Sequence, residues 1–345
     1  MKHLLLYLTL ALCVSGRAVA GPCTGTEGLL AAAEKQLVQN NLTNAEQLLA
    51  ALNKDHSDCA DVLLVRARLE AAQEKAEQAE ADFTRYLALI PDDSRGYAYF
   101  AELLISEGEY ARADTLSVTA IEKGPNDPVA LTVRGKILNL KGQSEDALVM
   151  LTRACTLDPE YAEAQLQLGS IYDRAKRPGS AVPHFQKAVT VNPADARGWD
   201  YLALNLEPLG EIDRADEAYR KGLQVNRNGP YFDAFLDYNY GRFLMKRNNL
   251  AASKASLDRA VELVPQMRAT WYERAKLNLQ LKSYKEARTD AEKAASLPDP
   301  DGLIIDLQLY ALLEKIYRRM GETDLANKYA KLGRETPPPV RGMKH

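Results

Sequence analysis

The feature that most constrains this chain is an internal period of 34 residues. Windows opening at Thr26, Ala60, Ser94, Pro128, Ala162, Ala196, Ala234, Arg268 and Leu307 align once insertions of four and five residues are allowed before the seventh and ninth. The twentieth position is Ala in all of them but the seventh, where it is Ser253. The eighth is Ala or Gly in all but the last, where it is Glu314. Position 32 is Pro91, Pro125, Pro159, Pro193 and Pro265 in five windows. A length of 345 residues would ordinarily suggest two domains, but a repeat chain grows by adding units, so length sets no domain count here.

Each period reads as two antiparallel helices. Small side chains at positions 8 and 20 let two backbones approach closely, and larger apolar residues at 4, 7, 11 and 24 fill the space around that contact. A Pro at 32 ends the second helix, because it lacks an N–H and turns its predecessor away from helical angles. The window at 162–195 carries the whole device, in Leu168-Gly169, Tyr172, Ala181, Phe185, Ala188 and Pro193. An apolar fraction of 46% excludes a largely disordered chain.

On these residues the sequence resembles the tetratricopeptide repeat (TPR) family, whose pattern includes Leu-Gly at 7 and 8, Tyr at 11, Ala at 20, an aromatic at 24 and Pro at 32. The resemblance covers residues 26 to about 335. It implies an all-α, right-handed solenoid of about nine helix-turn-helix repeats, with the first helix of each pair lining a concave groove. It also implies a protein-interaction scaffold rather than a particular function. Arg66, Arg134 and Arg274 depart from the apolar residue usual at position 7, and the longer junctions 226–233 and 299–306 are expected to alter the twist.

The expected organisation is a signal peptide at 1–20, the solenoid at 21–335 and a disordered Pro-rich tail at 336–345. Lys2, the apolar run Leu4 to Val14 and the small-x-small Ala18-Val19-Ala20 read as an export signal cut before Gly21. An uncleaved anchor is the other reading, but the run is far shorter than the roughly twenty residues needed to span a bilayer. Export would place the protein in the periplasm or outside the cell, where disulfides persist. Cys23 and Cys59 lie in polar, helix-breaking surroundings and Cys155 in an apolar helical stripe. The simplest expectation is a Cys23–Cys59 disulfide with Cys155 free; three free thiols are the alternative.

Catalysis finds little footing. His56, His184 and His345 are mutually distant and far from any Cys in sequence, so no metal-ligand spacing is visible. No nucleophile elbow, phosphate loop or dinucleotide fingerprint occurs. The expectation is a non-enzyme without metal or cofactor. A formal charge of −3 argues against nucleic acid as a partner.

Function would therefore be encoded in the groove, at positions 2, 5, 9, 12 and 13 of each first helix. Early windows give a mixed lining that includes Arg68, Glu102 and Lys136. The last three give Phe235, Tyr238, Arg242, Met245 and Lys246, then Tyr272, Lys276 and Gln280, then Lys315, Arg318 and Arg319. Residues 234–345 carry 20 basic and 14 acidic side chains, a net of +6, whereas 21–233 carry 22 and 33, a net of −11.

Cations interleaved with aromatics suit an acidic or C-terminal peptide segment, or an anionic glycan. Aromatics that merely pack between neighbouring helices, beside solvated cations, would give the same pattern. The clamp by which some TPR domains hold chaperone tails is not reproduced, since Asn239 occupies position 6 but Asp200 and Leu204 stand where Lys and Asn are required. Two function classes follow. One is a non-catalytic scaffold of the bacterial periplasm or envelope that helps assemble an envelope, secretion or polysaccharide complex. The other is an accessory subunit that recruits or regulates a glycosyl- or peptidoglycan-processing enzyme. Oligomeric state is not encoded in any pattern here.

Overall fold

A computed structural model describes residues 25–225, 230–299 and 302–336. The export segment at 1–20, Cys23 and all of the tail beyond Thr336 lie outside the described residues. The described residues form two compact units, divided between Val133 and Arg134.

The first unit contains three helix pairs: α1 (Glu27–Val38) with α2 (Leu42–His56), α3 (Ala60–Ala72) with α4 (Ala76–Leu89), and α5 (Ser94–Ser106) with α6 (Tyr110–Lys123). The unit boundary falls within α7 (Pro128–Leu140). The second unit continues with α8 (Ser144–Leu157), α9 (Ala162–Arg174), α10 (Pro178–Val191), α11 (Ala196–Leu206) and α12 (Ile212–Val225). It then holds α13 (Pro230–Lys246), α14 (Leu250–Leu263), α15 (Arg268–Gln280), α16 (Tyr284–Ser296), α17 (Asp306–Met320) and α18 (Thr323–Glu335). The described residues contain no strand, and the fold is all-α, built from helix pairs that repeat along the chain.

Helices begin where the period says they should: α3, α5, α7, α9, α11 and α15 open at the first residue of their windows. The last residue of a window supplies the cap in several cases. Asp93 and Asp195 accept from the backbone N–H groups of Arg95 and Arg197, and Asp127 accepts from that of Val129, satisfying donors a helix start leaves unpaired.

The expected close contact is present in every pair. Each Ala at position 20, from Ala45 to Ala326, is fully buried. A Cβ added to Gly169 would come within 2.7 Å of the Phe185 ring, and one added to Gly241 within 2.7 Å of Leu257. In the seventh window Ser253 is accommodated because its hydroxyl donates to the Gly241 carbonyl at 2.8 Å, so the polar atom is not left unsatisfied.

A regularity that composition hid is the turn between paired helices. Position 15 has positive φ in all nine windows, at Asn40, Glu74, Gly108, Gly142, Lys176, Gly210, Asn248, Lys282 and Gly321. Gly and Asn adopt this left-handed conformation easily, whereas Glu74, Lys176 and Lys282 hold it at some cost.

Two of the position-7 arginines are structural. Arg66 donates to Asp82 and to Asn53, the latter at 2.9 Å. Arg274 makes a two-pronged contact with Asp290 at 2.9 and 2.7 Å and donates to Asp258 at 3.0 Å. Asp82 and Asp290 are both position 23, and Asn53 and Asp258 belong to the second helix of the preceding pair. Each arginine thus ties its own second helix to the previous one, replacing an apolar contact with a charged staple.

Both junctions have specific solutions. Residues 230–233 extend α13 by about one turn ahead of Ala234. In the other, the Asp299 carboxylate accepts from the backbone N–H groups of Leu303 and Ile304 at 3.2 and 3.0 Å. That fold of the loop packs Ile304 into the cluster around Tyr238, Leu257 and Leu277.

Cys155 is a free, half-buried thiol whose pKa burial pushes up to about 11, which keeps it protonated and unreactive near neutral pH. His184 lies against Tyr172 with ring centroids 5.6 Å apart, and its Nδ1 is 2.9 Å from Gln165 Oε1. Burial lowers its pKa, so this imidazole is a neutral packing element.

Candidate groove site

The first helices α13, α15 and α17 lie side by side in the second unit, and between them opens a cleft of about 610 Å³. Six of the residues expected in the groove line it: Met245 from α13, Tyr272, Lys276 and Gln280 from α15, and Lys315 and Arg319 from α17. The lining also includes Lys282, Tyr284, Leu279 and Leu312, and it contains no carboxylate.

The remaining expected residues are placed elsewhere. Tyr238 is only 4% exposed and belongs to the core, with Phe235 packed against it at a centroid distance of 5.7 Å. Burial pushes the Tyr238 hydroxyl up to about 12. Arg242 sits 5.2 Å above the Tyr238 ring and 3.7 Å from Glu273, while Lys246 pairs with Glu207 at 2.9 Å. Arg318 turns to Glu314, one helical turn back on α17, at 2.9 Å. None of these five lines the cleft.

Electrostatics separate the cleft from the other first helices. Arg68 meets Glu34 at 3.4 Å and Lys136 meets Glu163 at 3.5 Å. Lys136 and Arg197 together hold the Glu163 carboxyl down at about 2 against the opposing effect of its burial. In the cleft, Lys276 is neutralised by Glu273 at 2.7 Å. Lys282, Lys315 and Arg319 have no ion-pair partner among the described residues. Three cations without acidic partners therefore converge, beside the paired Lys276, on one concavity whose walls are otherwise tyrosine, glutamine and apolar side chains.

Lys282 and Tyr284 were not found by reading groove positions because they lie at 15 and 17, on the turn and the start of the second helix. The left-handed φ of +63° at Lys282 belongs to that turn. A rule that admits turn residues beside the groove would have found both.

Among the described residues no group of three or more His, Cys, Asp or Glu could hold a metal ion, and no helix is long and apolar enough to cross a membrane. What the cleft can do is bind: it offers N–H and O–H donors, positive charge and an apolar floor.

Comparison with known proteins agrees with the architecture. The family model for the tetratricopeptide repeat matches residues 30–94, 141–198 and 238–301, and the chain belongs to that family. Anaphase-promoting complex subunit 3 of Schizosaccharomyces pombe is 22% identical over 73% of this chain and 37% of its own length. The chain thus spans well under half of that relative. Among solved structures, the APC/C hetero-tetramer Cut9–Hcn1 superposes with a TM-score of 0.68 at 16% identity, covering 92% of this chain and 62% of that one. The pilF protein of Pseudomonas aeruginosa gives 0.53 at 20% identity, covering 62% and 93%. Such repeats define a protein-protein interaction scaffold.

Proposed function

We propose that this chain is a non-catalytic scaffold of the bacterial periplasm or cell envelope, and that it holds a segment of a protein partner in the cleft between α13, α15 and α17. The reading rests on one observation: three cations without acidic partners face a concavity that contains no carboxylate. The partner would be a component of an envelope, secretion or polysaccharide assembly, as export implies.

The triple charge reversal Lys282→Glu, Lys315→Glu, Arg319→Glu should abolish partner recovery by affinity capture from envelope extract while leaving far-UV circular dichroism unchanged. Reversal of Arg242 and Arg318, which face Glu273 and Glu314, should have little effect. Equal recovery by wild type and the triple variant would remove the cleft from consideration.

Export and the Cys23–Cys59 disulfide belong to the same proposal. The pairing is supported by Cys59 lying buried at the start of α3 and not counting among the free thiols. Intact-mass analysis of the exported protein should give Gly21 as its first residue. Alkylation under denaturing, non-reducing conditions should label one thiol, Cys155. Three labelled thiols would sink the disulfide, and retention of residues 1–20 would sink the export signal.

A further inference from the structure

The chemistry of the cleft narrows its occupant beyond "a protein segment", an inference that rests on the proposed function above. Lys315 and Arg319 are one turn apart on α17, so their stems rise about 5–6 Å from each other on one wall. In an extended peptide, side chains at i and i+2 point the same way and lie about 6.6–6.8 Å apart, whereas those at i and i+1 point to opposite sides. Carboxylates at i and i+2 can therefore meet both cations at once. The intervening side chain then points to the opposite wall, which α15, its turn and the start of α16 build from Tyr272, Lys276, Lys282 and Tyr284.

The polar lining favours acceptors on the ligand. Gln308 Oε1 already accepts from the Ile305 N–H at 3.1 Å, and the lining includes no Asp or Glu that could accept from a neutral sugar hydroxyl. Met245, Leu279 and Leu312 add an apolar floor that a purely ionic ligand would leave unused. The third cation, Lys282, stands at the mouth of the turn, where it can meet a further acidic residue.

We infer that the cleft recognises an extended peptide of the form acidic-x-acidic, with the two carboxylates on Lys315 and Arg319 and an apolar side chain within or beside the triplet. The carboxylates contribute charge-assisted hydrogen bonds, and the apolar residue contributes burial.

The test uses the full mature chain and three fluorescein-labelled dodecapeptides of identical composition on a Ser/Gly background, carrying Asp-Leu-Asp, Asp-Asp-Leu or Asp-Ser-Ser-Asp-Leu. Fluorescence anisotropy should show the first binding about fivefold more tightly than either isomer, the scale of one well-placed exposed ion pair. Lys315→Ala and Arg319→Ala should each erase that preference, and raising the salt to about 0.5 M should weaken all three peptides. Vesicles of phosphatidylglycerol form a parallel arm.

Equal affinity for the three isomers, with partner capture still lost in the triple reversal, overturns the spacing rule alone. Capture surviving the triple reversal overturns the site and the rule together. Binding to vesicles but to none of the peptides overturns the peptide in favour of a lipid headgroup.

Discussion

Asp290→Ala should destabilise the last helix pairs by about 3 kcal/mol, and Arg274→Leu introduced with it should restore about half of that loss. The asymmetry comes from what each change leaves behind. Asp290 is 5% exposed and receives two hydrogen bonds from the Arg274 guanidinium and one from Asn278 at 2.8 Å. Removing the carboxylate strands a guanidinium whose side chain is 18% exposed, with Asp258 as its one remaining acidic partner and the Trp271 ring 4.6 Å away. Leucine at 274 removes the stranded charge and returns position 7 to the apolar type that other windows use. Recovery remains partial because Asn278 still lacks its acceptor. Urea denaturation, with hydrogen exchange of the α15 and α16 amides to localise the effect, measures both variants. If the single and double variants lose the same stability, the staple is not what holds this pair together.

Sequence periodicity captured what depends on close approach of two backbones and lost what depends on partners outside the window. Ala at 20 and Gly or Ala at 8 were legible because a larger residue would collide, as the 2.7 Å approaches at Gly169 and Gly241 demonstrate. Arg66 and Arg274 looked like departures because position 7 was weighed alone, whereas the signal was Arg at 7 together with Asp at 23. The left-handed turn at position 15 was obscured by Glu74, Lys176 and Lys282, which occupy it without the glycine that would mark it.

Tyr238 illustrates the limit for the site. Its position faces a neighbouring first helix, but whether anything covers the ring depends on Phe235 and on Ile304, delivered by a junction that falls outside the repeat. Charge counts had the same weakness. The net of +6 over 234–345 points to the part of the chain that holds the cleft, but only pairing distances separate Arg242, Lys246 and Arg318 from Lys282, Lys315 and Arg319.

The second large effect is expected from Asp200→Asn, which should stabilise the protein by up to about 4 kcal/mol at pH 8 and by almost nothing near pH 4. Asp200 is fully buried between α11 and α13, where both carboxylate oxygens accept from the Asn239 side-chain amide at 3.2 and 3.0 Å. Asn239, the residue that a peptide clamp would present to solvent, is thus committed to an interior contact. Burial raises the Asp200 pKa from 3.8 to about 7; the hydrogen bonds from Asn239 oppose that rise, and the nearby Glu207 carboxylate adds to it.

Because the folded-state pKa lies above the unfolded one, the folded protein binds more protons between about pH 4 and 7. The cost of the buried charge is absent below that window and complete above it, so wild-type stability should fall as pH rises through it. Asparagine keeps the shape and an acceptor for Asn239 but never ionises, so the variant should lose this slope. Glu207 is retained in both proteins, held by the Tyr219 hydroxyl at 2.7 Å and by Lys246 at 2.9 Å, so its titration cancels to first order in the difference. Urea midpoints for both proteins at several values between pH 4 and 8 give the comparison. A difference that stays constant with pH would mean that Asp200 is not ionising within the fold.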